Sequence, residues 1–448
     1  MKTPIVDFAR LYAGKDPVRM HMPGHKGIKA LGPEPLDLTE IEGADELYAP
    51  TGIIAESERN ASALFGCPTF YSTEGSSLCV KAMLLLALRH SGEKRPLILA
   101  ARNVHRSFLD AAVLLDFEIS WMYGKEQSTC LSCTLTAEEA EEAIKNAPRK
   151  PAAVYLTSPD YPGHLADIEG IAQVCRRHRI LLLVDNAHGA YLKFLTPSRH
   201  PIDLGADLSC DSAHKTLPVL TGGAYLHLSP ERRELTPFVK EALSLFGSTS
   251  PSYLILQSLD LANRYLEDHR ERLTRFLPLV SAWKEALRAA GYELIGSEPL
   301  KATLRANAYG YEGTALAARL REKGIFCEFC DRGIVVLMVS PEQTGEELDR
   351  VLSVLREIPR LEPIAGETCP LPRPAQILTP REAMLGGREK RPLDDCKGKV
   401  YADLCVSCPP AVPPVVCGEK LDAETIAVLR AYGITECWVA SEEKPPLF

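Results

Sequence analysis

LSCDSAHKTLPVLTGG, residues 208 to 223, opens as the end of a strand of small and apolar residues. It runs through Ser212, Ala213, His214 and Lys215 and closes on a turn-prone Thr-Leu-Pro and the pair Gly222-Gly223. The pattern puts Lys215 at the mouth of a buried element instead of on a solvated face. A lysine there, close to His214 and other polar groups, is placed for Schiff-base chemistry, which needs a partly neutral amine. A Ser-x-His-Lys string taken alone also describes an ordinary surface lysine, so its partners elsewhere in the chain decide the reading.

The nearest partner lies upstream in ILLLVDNAHGA, residues 180 to 190. An apolar run of five residues that ends at Asp185 is the pattern of a buried parallel strand delivering one carboxylate to the edge of a sheet. Such a carboxylate needs a cation or a donor, unless it merely caps a helix or loop. Further upstream TFY (69 to 71) reads as a strand. It is followed by Thr73-Glu74-Gly75, with Ser76 and Ser77 opening an apolar helix that runs to about His90. Glycine and two hydroxyls at a helix start cradle a phosphate, because free N–H groups and the positive end of the helix dipole face that loop. Plain N-capping by serine is the alternative. PLILAA (96 to 101) is the next strand, and Asn103 to Ser107 lead into a helix reaching about Leu115. His105 therefore falls just past the C-terminal end of a strand, where open α/β sheets hold their ligands.

The rest of the chain completes this alternation. FEISWMY is a strand, Thr136 with Glu139 is a capping box for TAEEAEEAIKNA, AAVYLTSP (152 to 159) is a strand, and a helix covers about 168 to 178. The fold class expected is α/β, with a mostly parallel central sheet flanked by helices. Ser250 and Pro251 are read as N-cap and first residue of a helix reaching past Ala290. A strand region, the helix TALAARLREKG, strands between Ile325 and Val339 and a helix capped by Thr344 with Glu347 then make a small α+β domain. The expected division is an N-terminal arm (1–60), a large domain (61–270), the small domain (271–360), a proline-studded linker (361–380) and a C-terminal domain (381–448) with a final helix near 422–432. In the arm, HMPGHKG (21 to 27) is either a ligand-bearing segment or a turn tying the arm down.

With 448 residues, 46% of them hydrophobic and 25% charged, the chain has ample material for large cores. A net charge of −8 and a pI near 5.9 argue against nucleic acid as a partner. No apolar run is long enough to span a bilayer and the N-terminus has no apolar leader, so cytoplasm is the expected compartment. Three cysteine pairs have C-x-x-C spacing: Cys130 with Cys133, Cys327 with Cys330, and Cys405 with Cys408. They lie far apart and lack matching histidines, so reduced thiols are expected there and no metal.

A lysine at a strand end, a carboxylate ending a buried strand about thirty residues earlier, a histidine after an earlier strand and hydroxyls at a helix start together suit pyridoxal phosphate. The motifs DLTEIEGADELYAP, STEGSS, NVHRS, TSPDYPG, LLVDNAHGAYL, SAHKTLPVLTGG, STSPSY and CPPAVPPVVCGE, spread over nearly the whole chain, resemble those of the Orn/Lys/Arg decarboxylases, in the short form without an N-terminal wing domain. The resemblance implies an aspartate-aminotransferase-like (type I) large domain and decarboxylation of arginine, lysine or ornithine to a polyamine precursor. It makes Lys215 the cofactor-binding lysine, Asp185 the partner of the pyridine nitrogen and His105 the ring that stacks on it. Gly75, Ser76, Ser77, Ser212 and His214 become phosphate and ring-edge contacts, and His188 flanks the cofactor. The loop Ser248-Thr249-Ser250 reaches the neighbour's phosphate, with Thr249 as the contact, in a homodimer or larger homo-oligomer with shared active sites.

His214 and Lys215 are the nearest candidates to return a proton to Cα, and Glu42, Asp45 or Glu46 to meet a substrate's distal cation. Three positions depart from the family pattern: Asn186 follows Asp185 where glutamate is usual, Glu74 stands in the phosphate turn where asparagine is usual, and Pro410-Ala411-Val412-Pro413 replaces Pro-Gly-Ile-Pro. Glu74 beside a phosphate is electrostatically awkward and is expected to point away. An aminotransferase or aldolase-type enzyme on the same fold, and a non-catalytic binding or regulatory relative, are the other readings these residues allow.

Overall fold

The computed structural model describes residues 1–124, 128–365, 369–406 and 408–441. Seven strands form the central sheet: β1 (Thr69–Ser72), β2 (Leu97–Ala101), β3 (Glu118–Met122), β4 (Ala153–Thr157), β5 (Leu181–Asp185), β6 (Leu208–Asp211) and β7 (Ala224–Leu228), in the order β1-β7-β6-β5-β4-β2-β3. The β2–β3, β4–β5 and β5–β6 pairs are parallel, while β7 runs antiparallel to β1 and β6. The α/β expectation, with a mostly parallel sheet flanked by helices, holds. Its cause is visible in β5, where every residue is buried and the apolar run Leu181–Val184 satisfies both faces of the strand.

The backbone gathers into two compact units. The first comprises Met1–Pro96, Ala152–Ser158 and Ile168–Glu271. It holds β1 and β4–β7 with the helices Ile53–Phe65, Gly75–Ser91 and Ile168–His178. The last of these buries Ile168, Ile171, Ala172, Val174 and Cys175 at helical spacing and ends on Arg176, Arg177 and His178, whose charges suit the negative end of the dipole. An additional helix, Pro4–Gly14, buries Ile5, Val6 and Ala9 within the arm. The single long helix expected from Ser250 is instead two, Tyr253–Leu266 and a second from His269. The first starts two residues later than expected because Ser252, not Ser250, accepts the N–H of Ile255. The break lets His269 turn inward, fully buried against the rings of Phe194 and Tyr265.

The second unit comprises Leu97–Pro151, Pro159–Asp167 and Arg272–Phe448. It contains β2 and β3 and a four-stranded antiparallel sheet of β8 (Leu294–Ile295), β9 (Lys301–Arg305), β10 (Phe329–Cys330) and β11 (Ile334–Met338) in the order β10-β11-β9-β8. A ribbon of β12 (Arg388–Pro392) and β13 (Glu436–Ala440) packs with the helix Ala423–Ala431 around Leu393, Tyr401, Val415, Leu421 and Leu429. Both capping boxes read from the sequence, Thr136 with Glu139 and Thr344 with Glu347, are present. Among the described residues no helix is long and apolar enough to cross a membrane.

Candidate active site

Lys215 stands four residues beyond the end of β6, in a single helical turn, Ala213–Thr216, that begins after Ser212. Its side chain is half-buried, and its Nζ lies 3.0 Å from Nε2 of His188. An ammonium only donates, so that ring nitrogen is the acceptor and carries no proton when Lys215 is charged. His188 comes from the turn after β5, three residues past Asp185, and Asp185 pairs in register with Cys210 of β6. Sequence distance therefore collapses: the parallel pairing of β5 with β6 brings the Asp185 and Lys215 segments to one end of the sheet. The Asp185 carboxylate is buried and accepts from the Tyr155 hydroxyl at 3.3 Å, the Ala187 N–H at 3.1 Å and the Cys210 thiol at 3.7 Å. Burial and the neighbouring Asp185 charge hold the Tyr155 phenol far above its ordinary pKa, so it stays a donor.

His214 is fixed by one carbonyl. Its backbone N–H and its Nδ1 both reach the oxygen of Gly223, at 3.2 and 3.0 Å, and because a carbonyl only accepts, Nδ1 carries the proton. Gly222 explains why glycine follows: its φ is +100°, and a Cβ there would stand 2.9 Å from the Thr73 carbonyl. Its own carbonyl accepts the N–H of Gly75 at 2.7 Å. The segment after Lys215 is thereby pressed onto the turn that opens the helix Gly75–Ser91. On the other side the Ser212 hydroxyl donates to that of Ser76 at 2.7 Å, both buried, while Ser77 is half-buried in the same first turn. Gly75 has φ +71°, and a Cβ there would meet nothing within 4 Å. Glu74 accepts the Ser248 N–H at 2.5 Å, so its charge is engaged with the 248–250 loop, where Thr249 is exposed.

His105 lies in the second unit, at the turn from β2 into the helix Arg106–Leu115. It is exposed, and its Nδ1 accepts the Ser107 N–H as the helix cap. The three acids proposed for a distal cation separate. Asp45 is spent on its own chain, accepting the N–H groups of Thr51, Gly52, Ile54 and Ala55. Burial alone would raise its carboxyl, but these bonds outweigh burial and hold it below the usual range. Glu42 and Glu46 are exposed. Cys130 and Cys133 pack with Leu371, Val412 and Val428, and burial pushes the thiols of Cys327 and Cys405 up to about 11. Among the described residues no C-x-x-C pair joins a group of three or more ligand-bearing side chains.

Two charged arrangements escaped the sequence reading. In the first unit, Asp211, the last residue of β6, is fully buried; one oxygen accepts from Asn186 Nδ2 at 2.7 Å and the other faces Nε2 of His200 at 3.2 Å and of His227 at 3.0 Å. Burial alone would raise Asp211, but the two imidazoles outweigh it and hold the carboxyl well below its ordinary value; burial alone would lower His227, but Asp211 outweighs it and raises the imidazole. His227 thus binds its proton more tightly in the folded chain. Its contribution to stability is complete below the free imidazole value of about 6.5 and is lost as pH rises through the higher folded value, while that of Asp211 is complete above the free carboxyl value of about 4 and lost in acid. A His227→Gln chain should therefore be less stable than the parent, with the deficit largest near pH 5 to 6 and shrinking toward pH 9. Urea midpoints across that range test this, and a deficit that does not change with pH would contradict it. In the second unit, Arg102 and Glu419 form a fully buried bidentate pair at 2.6 and 2.7 Å.

Comparison with known proteins follows the same lines. Residues 3–295 match the family model described as Orn/Lys/Arg decarboxylase, major domain. The chain is 30% identical to the uncharacterized protein YaaO of Bacillus subtilis (strain 168), over 96% of this chain and 94% of that one. It is 28% identical to the arginine decarboxylase of the same organism, over 96% and 93%. Among solved structures, the Francisella novicida lysine decarboxylase LdcF superposes with a TM-score of 0.82 at 17% identity, covering 98% of this chain and 81% of that one, which shows a shared fold. With its family model matched from the arm through the whole Lys215 site, this chain belongs to the Orn/Lys/Arg decarboxylase family.

Proposed function

We propose that the chain is a pyridoxal-phosphate-dependent decarboxylase of a basic amino acid, releasing carbon dioxide and the amine that serves as a polyamine precursor. The observation that carries this reading is the Lys215 amine held 3.0 Å from His188 on the strand pair whose other member ends in buried Asp185. The residues present fit the cofactor. The turn at Gly75 opens onto space at a helix start, two buried hydroxyls meet there, and an amine and a buried carboxylate stand on neighbouring strands. When bound, pyridoxal phosphate supplies a ring that accepts the electron pair left as carbon dioxide departs.

The protein's part is to hold and to move protons. Ser76, Ser77, Ser212 and the helix N-terminus would receive the phosphate; Asp185, a carboxylate among three donors, would receive the ring nitrogen. Lys215 would hold the cofactor through its amine, 3.0 Å from His188, and His214, its Nδ1 committed to Gly223, is with Lys215 the candidate to return a proton to Cα. In this reading residues 61–270 bind the cofactor, 1–60 form an arm, 271–360 a small domain, 361–380 a linker and 381–448 a C-terminal domain. His105 would stack on the cofactor ring, and Thr249 would complete the site of a second copy. In this reading the chain works in the cytoplasm as a homodimer or larger homo-oligomer; the exposed apolar side chains Val18, Met20, Ile28 and Leu31 of the arm support a contact between copies.

Arginine, lysine and ornithine, supplied one at a time to the chain loaded with pyridoxal phosphate, test the proposal. Carbon dioxide and amine are expected in equal amounts from at least one of them, arginine first because the 28%-identical Bacillus subtilis relative is an arginine decarboxylase. A keto acid in place of the amine would point to an aminotransferase, and inertness toward all three would reject the proposal.

A further inference from the structure

Asn186 and Asp211 occupy the two positions where the proposed reaction demands most of the backbone. Asn186 directly follows Asp185, and Asp211 precedes Lys215 by four residues. The ladder between β5 and β6 ends at this point: the Asn186 N–H bonds the Cys210 carbonyl at 2.9 Å, and the next residue of β6, Asp211, pairs with Tyr225 of β7 on its other side. One more rung is supplied by side chains, the 2.7 Å bond from Asn186 Nδ2 to Asp211 Oδ1. Neither member of that rung can turn away. The second oxygen of Asp211 is taken by His200 and His227, and Asn186, Asp211, His200 and His227 are all at most 1% exposed. Asn186 is confined from above as well, since a Cβ on Gly189 would fall 2.0 Å from its Oδ1. The residue that departs from the family pattern at 186 is thus matched to Asp211: a glutamate there would set a second carboxylate against a buried one.

We propose that Asn186 and Asp211 are positioning residues for the reaction proposed above, their side-chain rung fixing the Lys215 turn in register with the strand end that carries Asp185. The inference rests on the reading of Lys215 and Asp185 as cofactor ligands. Asn186→Ala tests it, because it removes the rung and leaves Asp211 with both histidines. The full chain is stripped of pyridoxal phosphate and titrated with it. The variant should bind the cofactor roughly 10- to 100-fold more weakly, and the pH midpoint of the bound cofactor's absorbance should move, while the melting temperature of the stripped protein stays within about 5 °C of the parent. Turnover should fall in kcat more than KM rises. Should the alanine chain not fold, Asn186→Ser keeps a polar group but cannot span the gap, and the same losses are expected. Parent-like cofactor affinity together with a parent-like spectral midpoint would overturn the proposal. A Lys215→Ala control separates the two claims: if that chain keeps the parent's absorbance, the cofactor reading itself fails, whatever Asn186→Ala does.

Discussion

A Lys215→Ala chain is expected to release carbon dioxide from its substrate at least about 10⁴-fold more slowly than the parent, and to lose the absorbance that pyridoxal phosphate acquires when a protein amine holds it. The side chain supplies two things at once: a nucleophilic nitrogen, and a proton that it exchanges with His188 across 3.0 Å. No other side chain in the turn offers an amine, and the only imidazole there, His214, has its Nδ1 proton committed to Gly223. Lys215→Arg keeps the charge without a usable nucleophile and should fail to a similar degree. The phosphate cradle is untouched in both variants, so cofactor should still bind but wash out on gel filtration. Adding a small primary amine should restore part of the rate in the alanine chain, which distinguishes a missing amine from a misfolded site. A rate within tenfold of the parent would remove Lys215 from the mechanism.

Where one residue type carried both the fold and the chemistry, the sequence was legible. The apolar run before Asp185 has the length and pattern of a buried parallel strand, and a buried strand ending in a carboxylate places that carboxylate at the sheet's functional edge. The glycines at 75 and 222 likewise announce turns that no other residue adopts cheaply. What stayed hidden depends on pairing between distant residues. Asp211 stands inside the 208–223 stretch, yet its meaning comes from His200, His227 and Asn186, and no spacing rule joins these. Asp45 looked like a candidate for a cationic substrate because acids in a loop resemble one another; only the fold shows that its oxygens are consumed by the helix it caps. Strand β12 was invisible for another reason: REKRP has no apolar alternation, and its pairing with β13 is supported by Cys437 and Val439, buried on the partner strand. Arg102 could have been found. A charge directly after the buried run Leu97–Ala101 poses the same demand for a counter-charge as Asp185 does, with the sign reversed.

Cutting the Arg102–Glu419 pair from one side, by Glu419→Gln or Arg102→Met, is expected to cost the second unit about 3 to 5 kcal/mol of stability. Both side chains are completely buried, and the guanidinium has every face engaged. Its two Nη atoms meet the two carboxylate oxygens, its Nε donates to the Pro413 carbonyl at 3.0 Å, and its Cζ lies 4.7 Å from the centre of the Trp121 ring. Glu419 in turn accepts the Val416 N–H at 2.8 Å, so the pair ties the end of β2 to the proline-rich segment near the C-terminus. Burial alone would disfavour the guanidinium charge, but Glu419 outweighs it and holds Arg102 protonated well beyond its ordinary range. The large penalty for a single substitution is therefore that of the charge left behind, not the worth of the bridge. Removing both charges with Arg102→Met and Glu419→Leu together should cost less than either single change, because no ion is then stranded in a dry site. Denaturant midpoints for the four chains form the cycle that decides this. Single variants within about 1 kcal/mol of the parent would mean that water reaches the pair, and a double variant as unstable as the sum of the singles would mean that packing of the long side chains, not charge, holds that corner of the fold.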